Sequence, residues 1–461
     1  MRDLSLYKVG AGLFFQELMN FFLIQPPIED FYTTPIRLYP LGLLYVAAVL
    51  QEYGHDVEIL DCLNPPKKRQ LSIPQDFSFL SDYIAKNPLL FKHYYRFGIS
   101  DDEIINRAKK AQPDFIGISS QFTAYFSSVA KLATLLKNNL DIPIVLGGNH
   151  ATAFPKEIKQ KCSAIDFVLT GPAEQSVARF LSEQSAHKIP EKFIDWKYLQ
   201  PAHGLLLSTD YRIGKKPYIS LTATRGCPFR CEFCSVHNMF GRQHSVRDVR
   251  HILQEMRDNY IHKNVRIFNF EDDNLSFNRR WFVSLLRAII DDPVLSGIEL
   301  TAMNGLCYTT LDDDLLTLMR TAGFRQLNLS FVTQDESLRA FLKRPHKNNV
   351  ETIVSNAKAL GFFITVYVII GLPHQTYDEI KKSIDYLLDL DVLVGPSVFY
   401  MPPASEIYEK LDVTQDMKTN WNLFRSSAFV VETEKLNRSQ LVELFVYVRE
   451  QNLKKKTEDK T

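Results

Sequence analysis

At 461 residues the chain exceeds one ordinary folding unit, and at about 150 residues per domain it has room for roughly three. Hydrophobic residues make up 45% and charged residues 23%, which excludes a disordered chain and allows a large buried core. Lys and Arg number 54 against 53 Asp and Glu, and this net charge of +1 argues against a protein that coats nucleic acid.

Arg2, Asp3, Lys8 and Glu17 interrupt the apolar start, so it reads as neither a signal peptide nor a membrane span. The cytoplasm is the expected location. A first alternation of strands and helices follows, of the kind that builds a parallel sheet. Its apolar runs are Phe21–Ile24, Val57–Leu60, Phe115–Ser119, Ile142–Leu146 and Phe167–Leu169. Helical patterns fall at 41–53, 124–139 and about 174–183. A segment rich in Tyr, Phe and Lys at 63–112 is expected as a mostly helical insertion that packs as an arm. The first domain is expected at 1–190 and a linker at 191–216.

A second alternation covers 217–400, with strands starting near Tyr218, Val265, Gly297, Arg325, Phe363 and Ser397. Six strand–helix units make three-quarters of an eight-fold β/α barrel, open along one side. The uncharged stretch from Ala359 to Tyr377 carries Gly361, Gly371 and Pro373, so it reads as a buried strand leaving into a loop. Residues 401–461 are expected to be helical and to cap the barrel, with a frayed polar tail over Lys454–Thr461. The fold class is therefore α/β: a Rossmann-like domain, a partial (β/α)6 TIM-type barrel and a small helical C-terminal region.

Six cysteines in so long a chain do not form a disulfide scaffold. Cys62, Cys162 and Cys307 are scattered, whereas Cys227, Cys231 and Cys234 fall within eight residues. This trio follows the first strand of the second series, on a loop where barrels carry their chemistry. Three thiolates suit three irons of a cubane, with a fourth iron open to a small ligand. The competing reading is a structural zinc site completed by His237, although such ligands usually come in pairs from two separated loops.

These residues resemble the signature of the radical S-adenosylmethionine (radical SAM) superfamily, with Phe233 at its aromatic position. The resemblance implies a 4Fe-4S cluster on Cys227, Cys231 and Cys234. It also implies S-adenosylmethionine bound at the open iron and cleaved by one electron to a 5′-deoxyadenosyl radical. By the same resemblance, Phe233, Asp272, Asp273, Ser330 and Gly371 fall in S-adenosylmethionine-binding segments. An Asp-rich helix cap explains Phe270–Asn274 equally well. Strand four departs from the family pattern: it reads Leu-Ser-Phe-Val-Thr-Gln-Asp over 329–335, without the Glu-Ser that often holds the ribose, so Ser330, Thr333 or Asp335 would substitute. Cys307, near the end of strand three, reads as a small buried hydrophobe.

The first series resembles the cobalamin-binding domain that precedes many radical SAM proteins. The matching segments are Tyr39–Leu43, Tyr53–Asp61, Ile116–Ser120, Leu146–Thr152 and Asp166–Glu174. The implied cobalamin-binding residues are Gly42, Ser119, Ser120, Gly147, Gly148, Asn149, Thr170, Gly171 and Glu174. Many such domains carry Asp-x-His-x-x-Gly, whose histidine binds cobalt, and no such string occurs here. His150 reads instead as a satisfied surface or core histidine.

Together the resemblances imply a cobalamin-dependent radical SAM methyltransferase. It would act on an unreactive carbon of a small-molecule or natural-product substrate, with electrons from a flavodoxin or ferredoxin and with no nucleic-acid partner. A radical cyclase or rearrangement enzyme without methyl transfer is the alternative. A zinc-stapled, non-enzymatic scaffold is a third.

Overall fold

The computed structural model describes residues 4–9, 12–35, 39–184, 194–206, 211–344 and 350–458, with backbone only for 4–9, 12–17 and 456–458. Of the expected linker, 191–193 and 207–210 lie outside the described residues, as do the last three residues of the polar tail. The chain forms two compact units: Met1–Leu71 with Tyr95–Tyr211 and Asn238–Phe240, and Ser72–Tyr94 with Arg212–His237 and Gly241–Thr461.

The first unit is built on five parallel strands: β1 (Asn20–Gln25), β2 (Asp56–Asp61), β3 (Phe115–Ser119), β4 (Ile144–Gly147) and β5 (Phe167–Val168). Their spatial order is β5-β4-β3-β1-β2. Strand β1 lies inside the sheet between β3 and β2, and Phe21, Phe22, Leu23 and Ile24 are all buried, as a parallel strand covered on both faces requires. Helices α1 (Leu41–Glu52) and α2 (Ala173–Gln184) pack Val49, Leu50, Phe180 and Leu181 into one core with Phe21, Leu23 and Val145. The order reverses between β1 and β3, and open α/β sheets bind ligands at the carboxyl edge of such a switch point.

The segment 63–112 is mixed rather than mostly helical. Lys68–Leu71 and Tyr94–Phe97 are strands, and only Ser81–Lys86 and Asp101–Ala111 are α-helical. Prolines at 65, 74 and 88 interrupt the helical pattern, and the run Tyr-Tyr-Arg-Phe favours a strand. Residues 72–94 pack with the second unit, where the Phe91 ring meets Phe429 and Phe445 at 6.5 and 5.5 Å.

Among the described residues the main parallel strands of the second unit are β6 (Lys216–Leu221), β7 (Ile267–Phe270), β8 (Glu299–Thr301), β9 (Gln326–Phe331), β10 (Phe363–Ile370) and β11 (Leu393–Val398), and the two-residue strand Leu306–Cys307 also pairs parallel with β9. β6, β7 and β8 pair in sequence, as do β9, β10 and β11. A parallel bridge from Leu300 to Phe324 joins the two sets. Along β10, buried Ile364, Val366, Val368 and Ile370 alternate with less buried Phe363, Thr365, Tyr367 and Ile369, the two-residue period of a strand with one packed face.

The sixth strand begins at Leu393, earlier than its expected start near Ser397. Gly395 and Pro396 obscure it in the sequence, but among the described residues β11 pairs only with β10, and an edge strand tolerates proline. The long C-terminal helix α3 (Arg438–Glu458) covers that edge. Its Asn452 side chain accepts from Val394 N at 3.1 Å and donates to Val394 O at 2.7 Å, satisfying backbone that an exposed edge would leave open. The described part of the polar tail, through Glu458, is helical rather than frayed. Among the described residues no helix is long and apolar enough to cross a membrane.

Candidate cofactor sites

The cysteine loop leaves β6 and is closed at its base by an antiparallel pair, Thr224 with Val246 and Arg225 with Ser245. Two carboxylates from the end of β7 fasten its first half. Asp272 is buried; its Oδ1 accepts from Ala223 N at 3.1 Å and also from Thr224 N. Burial pushes its carboxyl up to about 7, against the pull of those bonds. Asp273 Oδ2 accepts from Gly226 N at 2.8 Å. Gly226 has φ 78, and a β-carbon there would lie 2.4 Å from Gln243 O, so the turn before the first cysteine requires glycine. Asp272 and Asp273 thus spend these oxygens holding the loop.

Cys227 and Cys234 are half-buried and Cys231 is buried. The Cys227 thiol is pushed up by burial, and that of Cys234 to about 11, with the neighbouring cysteines adding to both. Such thiols release their protons when metal binds, and this couples metal uptake to pH. Two polar side chains donate to the trio among the described residues: Asn274 Nδ2 to Cys227 Sγ at 3.5 Å, and Arg344 Nη1 to Cys231 Sγ at 3.7 Å. Donors aimed at sulfur suit thiolate ligands, whose negative charge they stabilise. The donor set therefore fits an iron–sulfur cluster. Among the described residues no three His, Cys, Asp or Glu gather around one ion position, the three loop cysteines included.

Phe233 is half-buried in the same loop. Ser330, on β9, accepts from Arg344 Nη2 at 2.7 Å and donates to Leu306 O at 3.3 Å. Thr333 donates to Glu379, and Asp335 caps the following helix by accepting from Leu338 N at 2.7 Å. Cys307 is buried, and Arg344 Nη2 reaches its sulfur at 3.9 Å. Gly371, with φ 93, receives Leu441 of α3: an added β-carbon would lie 2.8 Å from Leu441 Cδ2. Its openness is used at least in part for packing. Asn274 and Arg344 carry no signal in the sequence, although Asn274 ends a segment already singled out.

In the first unit the implied cobalamin residues cluster at the carboxyl edge. Ser119 ends β3 and Ser120 follows it, Gly147 ends β4 and Gly148 follows it, and Thr170 and Gly171 come after β5. Gly42 opens α1, and Glu174 is buried near the start of α2. Asn149 is exposed. A β-carbon at Gly42, Gly147 or Gly171 would meet nothing within 4 Å, so bare backbone faces open space there. Gly148 is different: φ is 118 and a β-carbon would lie 2.5 Å from Ser120 O. A cleft at the β1/β3 switch point is lined by Gln25, Pro26, Ser119, Ser120, Gln121 and Phe122. The buried Ser120 hydroxyl has no partner, and an orphaned hydroxyl in a cleft wall fits a polar-rimmed ligand. His150 is a core histidine; it lies between the Phe126 and Phe154 rings, 3.0 Å from Thr123 Oγ1, and burial lowers it to about 3.

A sequence model of the Radical SAM superfamily matches residues 221–387, and one of the B12 binding domain matches residues 92–181. An uncharacterized methyltransferase of Pyrococcus horikoshii is 21% identical over 93% of this chain and 91% of its own length. The cytidylyl-2-hydroxyethylphosphonate methyltransferase of Streptomyces wedmorensis is 25% identical over 76% of this chain and 73% of its own. The radical S-adenosylmethionine methyltransferase TsrM of Kitasatospora setae, solved with cobalamin and a 4Fe-4S cluster, shares the fold. Its TM-score is 0.61 at 17% identity, covering 86% of this chain and 78% of that one.

Proposed function

The chain belongs to the radical SAM superfamily, with a B12-binding domain ahead of its radical SAM domain, and on that premise we propose that it is a cobalamin-dependent methyltransferase acting on an unreactive carbon of a small molecule. The observation that carries the reading is the loop of three thiols with side-chain donors aimed at two of its sulfurs. In this reading Cys227, Cys231 and Cys234 hold the cluster, while Asp272 and Asp273 keep their loop in register. Phe233, Ser330 and the Gly371 strand end contribute to the S-adenosylmethionine site. The glycines and hydroxyls at the carboxyl edge of the first sheet receive the corrinoid.

The bound groups supply the hard chemistry, a radical able to break an unactivated C–H bond and a carrier for the methyl group. The protein's share is position and the exclusion of water, because a radical released into solvent is lost. Among the described histidines of the first unit, His55 contacts Met19 N and the Phe21 ring, His150 lies in the core, and His203 pairs with Tyr39 at 2.5 Å. These three imidazoles are committed to contacts within the unit, and none of them is assigned to the corrinoid. The enzyme works in the cytoplasm, and a flavodoxin or ferredoxin delivers the electron.

The test supplies methyl-labelled S-adenosylmethionine, reductant, hydroxocobalamin and extracted small-molecule pools. Label entering a product with the wild type, and none with C231A, is the expected result. 5′-Deoxyadenosine release with no label in any product would refute methyl transfer.

A further inference from the structure

Arg344 follows the short helix Glu336–Phe341, which itself follows β9. It is half-buried, and its guanidinium reaches three groups: Cys231 Sγ at 3.7 Å, Cys307 Sγ at 3.9 Å and Ser330 Oγ at 2.7 Å. No carboxylate lies within ion-pair distance of it among the described residues. That distinguishes it from nearby cations in the same unit: Lys343 pairs with Glu232 and Glu406, Lys410 with Glu232, and Arg242 with Glu406. A half-buried guanidinium gains from negative charge beside it, and of the three groups that Arg344 reaches, those that can carry such charge are cysteine sulfurs.

We infer that Arg344 is a positioning and tuning residue for the iron–sulfur cluster, donating to the Cys231 thiolate and raising the cluster's reduction potential. This rests on the cluster reading of Cys227, Cys231 and Cys234. Three thiolates around a cubane give the site net negative charge, and one-electron reduction adds another. A fixed positive charge beside one thiolate stabilises the reduced form more than the oxidised form, because the attraction grows with the charge it meets. The Ser330 hydroxyl anchors the far side of the guanidinium, so that its planar fork is held toward sulfur rather than solvent. A lysine would keep the charge but could not span hydroxyl and sulfur together.

The test is a potentiometric titration of the anaerobic, iron-loaded protein followed by electron paramagnetic resonance, without S-adenosylmethionine, on the wild type, R344K and R344Q. R344Q is expected to hold wild-type iron and sulfide and to titrate at a more negative potential. A tenfold or greater loss in the reduced-to-oxidised ratio at fixed poise is expected, about 59 mV for one electron. R344K should fall between the two. An R344Q midpoint equal to the wild type would overturn the inference. Should R344Q fail to take up a cluster, the wild type decides alone. Labelled with 15N-arginine and reduced, it should show a nitrogen coupling to the cluster in pulsed resonance, and absence of that coupling overturns the inference. A wild type without iron and sulfide is a different failure, one that removes the cluster reading itself.

Discussion

Removing the Asp272 carboxylate tests how the cysteine loop is held. In D272A two buried backbone donors, Ala223 N and Thr224 N, lose their acceptor at the point where the loop leaves β6. An orphaned buried donor costs about 1–3 kcal/mol, so the pair predicts a loss of roughly 2–6 kcal/mol. D272N keeps one oxygen for both donors and should lose far less. Urea unfolding of the two variants and the wild type at pH 6 measures the difference, with iron content after reconstitution as a second readout. The wild type also carries a pH signature. Its carboxyl titrates near 7 when folded against 3.8 in the reference state, because burial disfavours the charge. A raised folded pKa means that the contribution is complete below about pH 4 and is lost as pH rises through 7. At 1.36 kcal/mol per unit, the stability of the wild type relative to D272N should fall by up to about 4 kcal/mol between pH 4 and pH 8. D272A with wild-type stability and full iron would refute this account of the loop, and a flat pH difference would refute the buried-acid part.

Three further predictions concern single positions. G226A should reduce cluster uptake, since a β-carbon at φ 78 costs about 1–2 kcal/mol before its contact with Gln243 O is counted, and iron analysis reads the effect. S120A should leave the corrinoid-free first unit as stable as wild type or slightly more so, since an orphaned buried hydroxyl carries a desolvation cost. The same change should weaken hydroxocobalamin binding several-fold in a visible titration, and unchanged affinity would remove Ser120 from the site. G148A, with φ 118 and a β-carbon 2.5 Å from Ser120 O, should lower the melting temperature of the corrinoid-free protein as well as the corrinoid bound.

The architecture was readable where hydrophobic period alone decides it. The five apolar runs of the first unit fall on β1 to β5 within two residues; the interior strand β1 is apolar on both faces, while the edge strand β2 alternates. The segment 63–112 was not readable in this way, since its prolines and aromatic Tyr94–Phe97 run alternate between helix and strand preferences over short stretches. The cysteines announce themselves by spacing, but their supports do not. Arg344 is 113 residues from Cys231 and 37 from Cys307, and chain folding alone brings them together. Asp272 looked equally suited to a ligand or a cap; only the fold reveals that it accepts from Ala223 and Thr224. Gly371 allows close approach, as its type suggests, but the approaching group seen in the fold is Leu441.

The most direct test of the central assignment is chemical analysis of protein reconstituted and handled without oxygen, with resonance spectra of the reduced form. The cluster reading predicts iron and acid-labile sulfide in equal amounts, a reduced-cluster signal that changes when S-adenosylmethionine is added, and loss of all three in C231A. Wild-type protein that holds zinc in place of iron and sulfide, with no such signal, would contradict it.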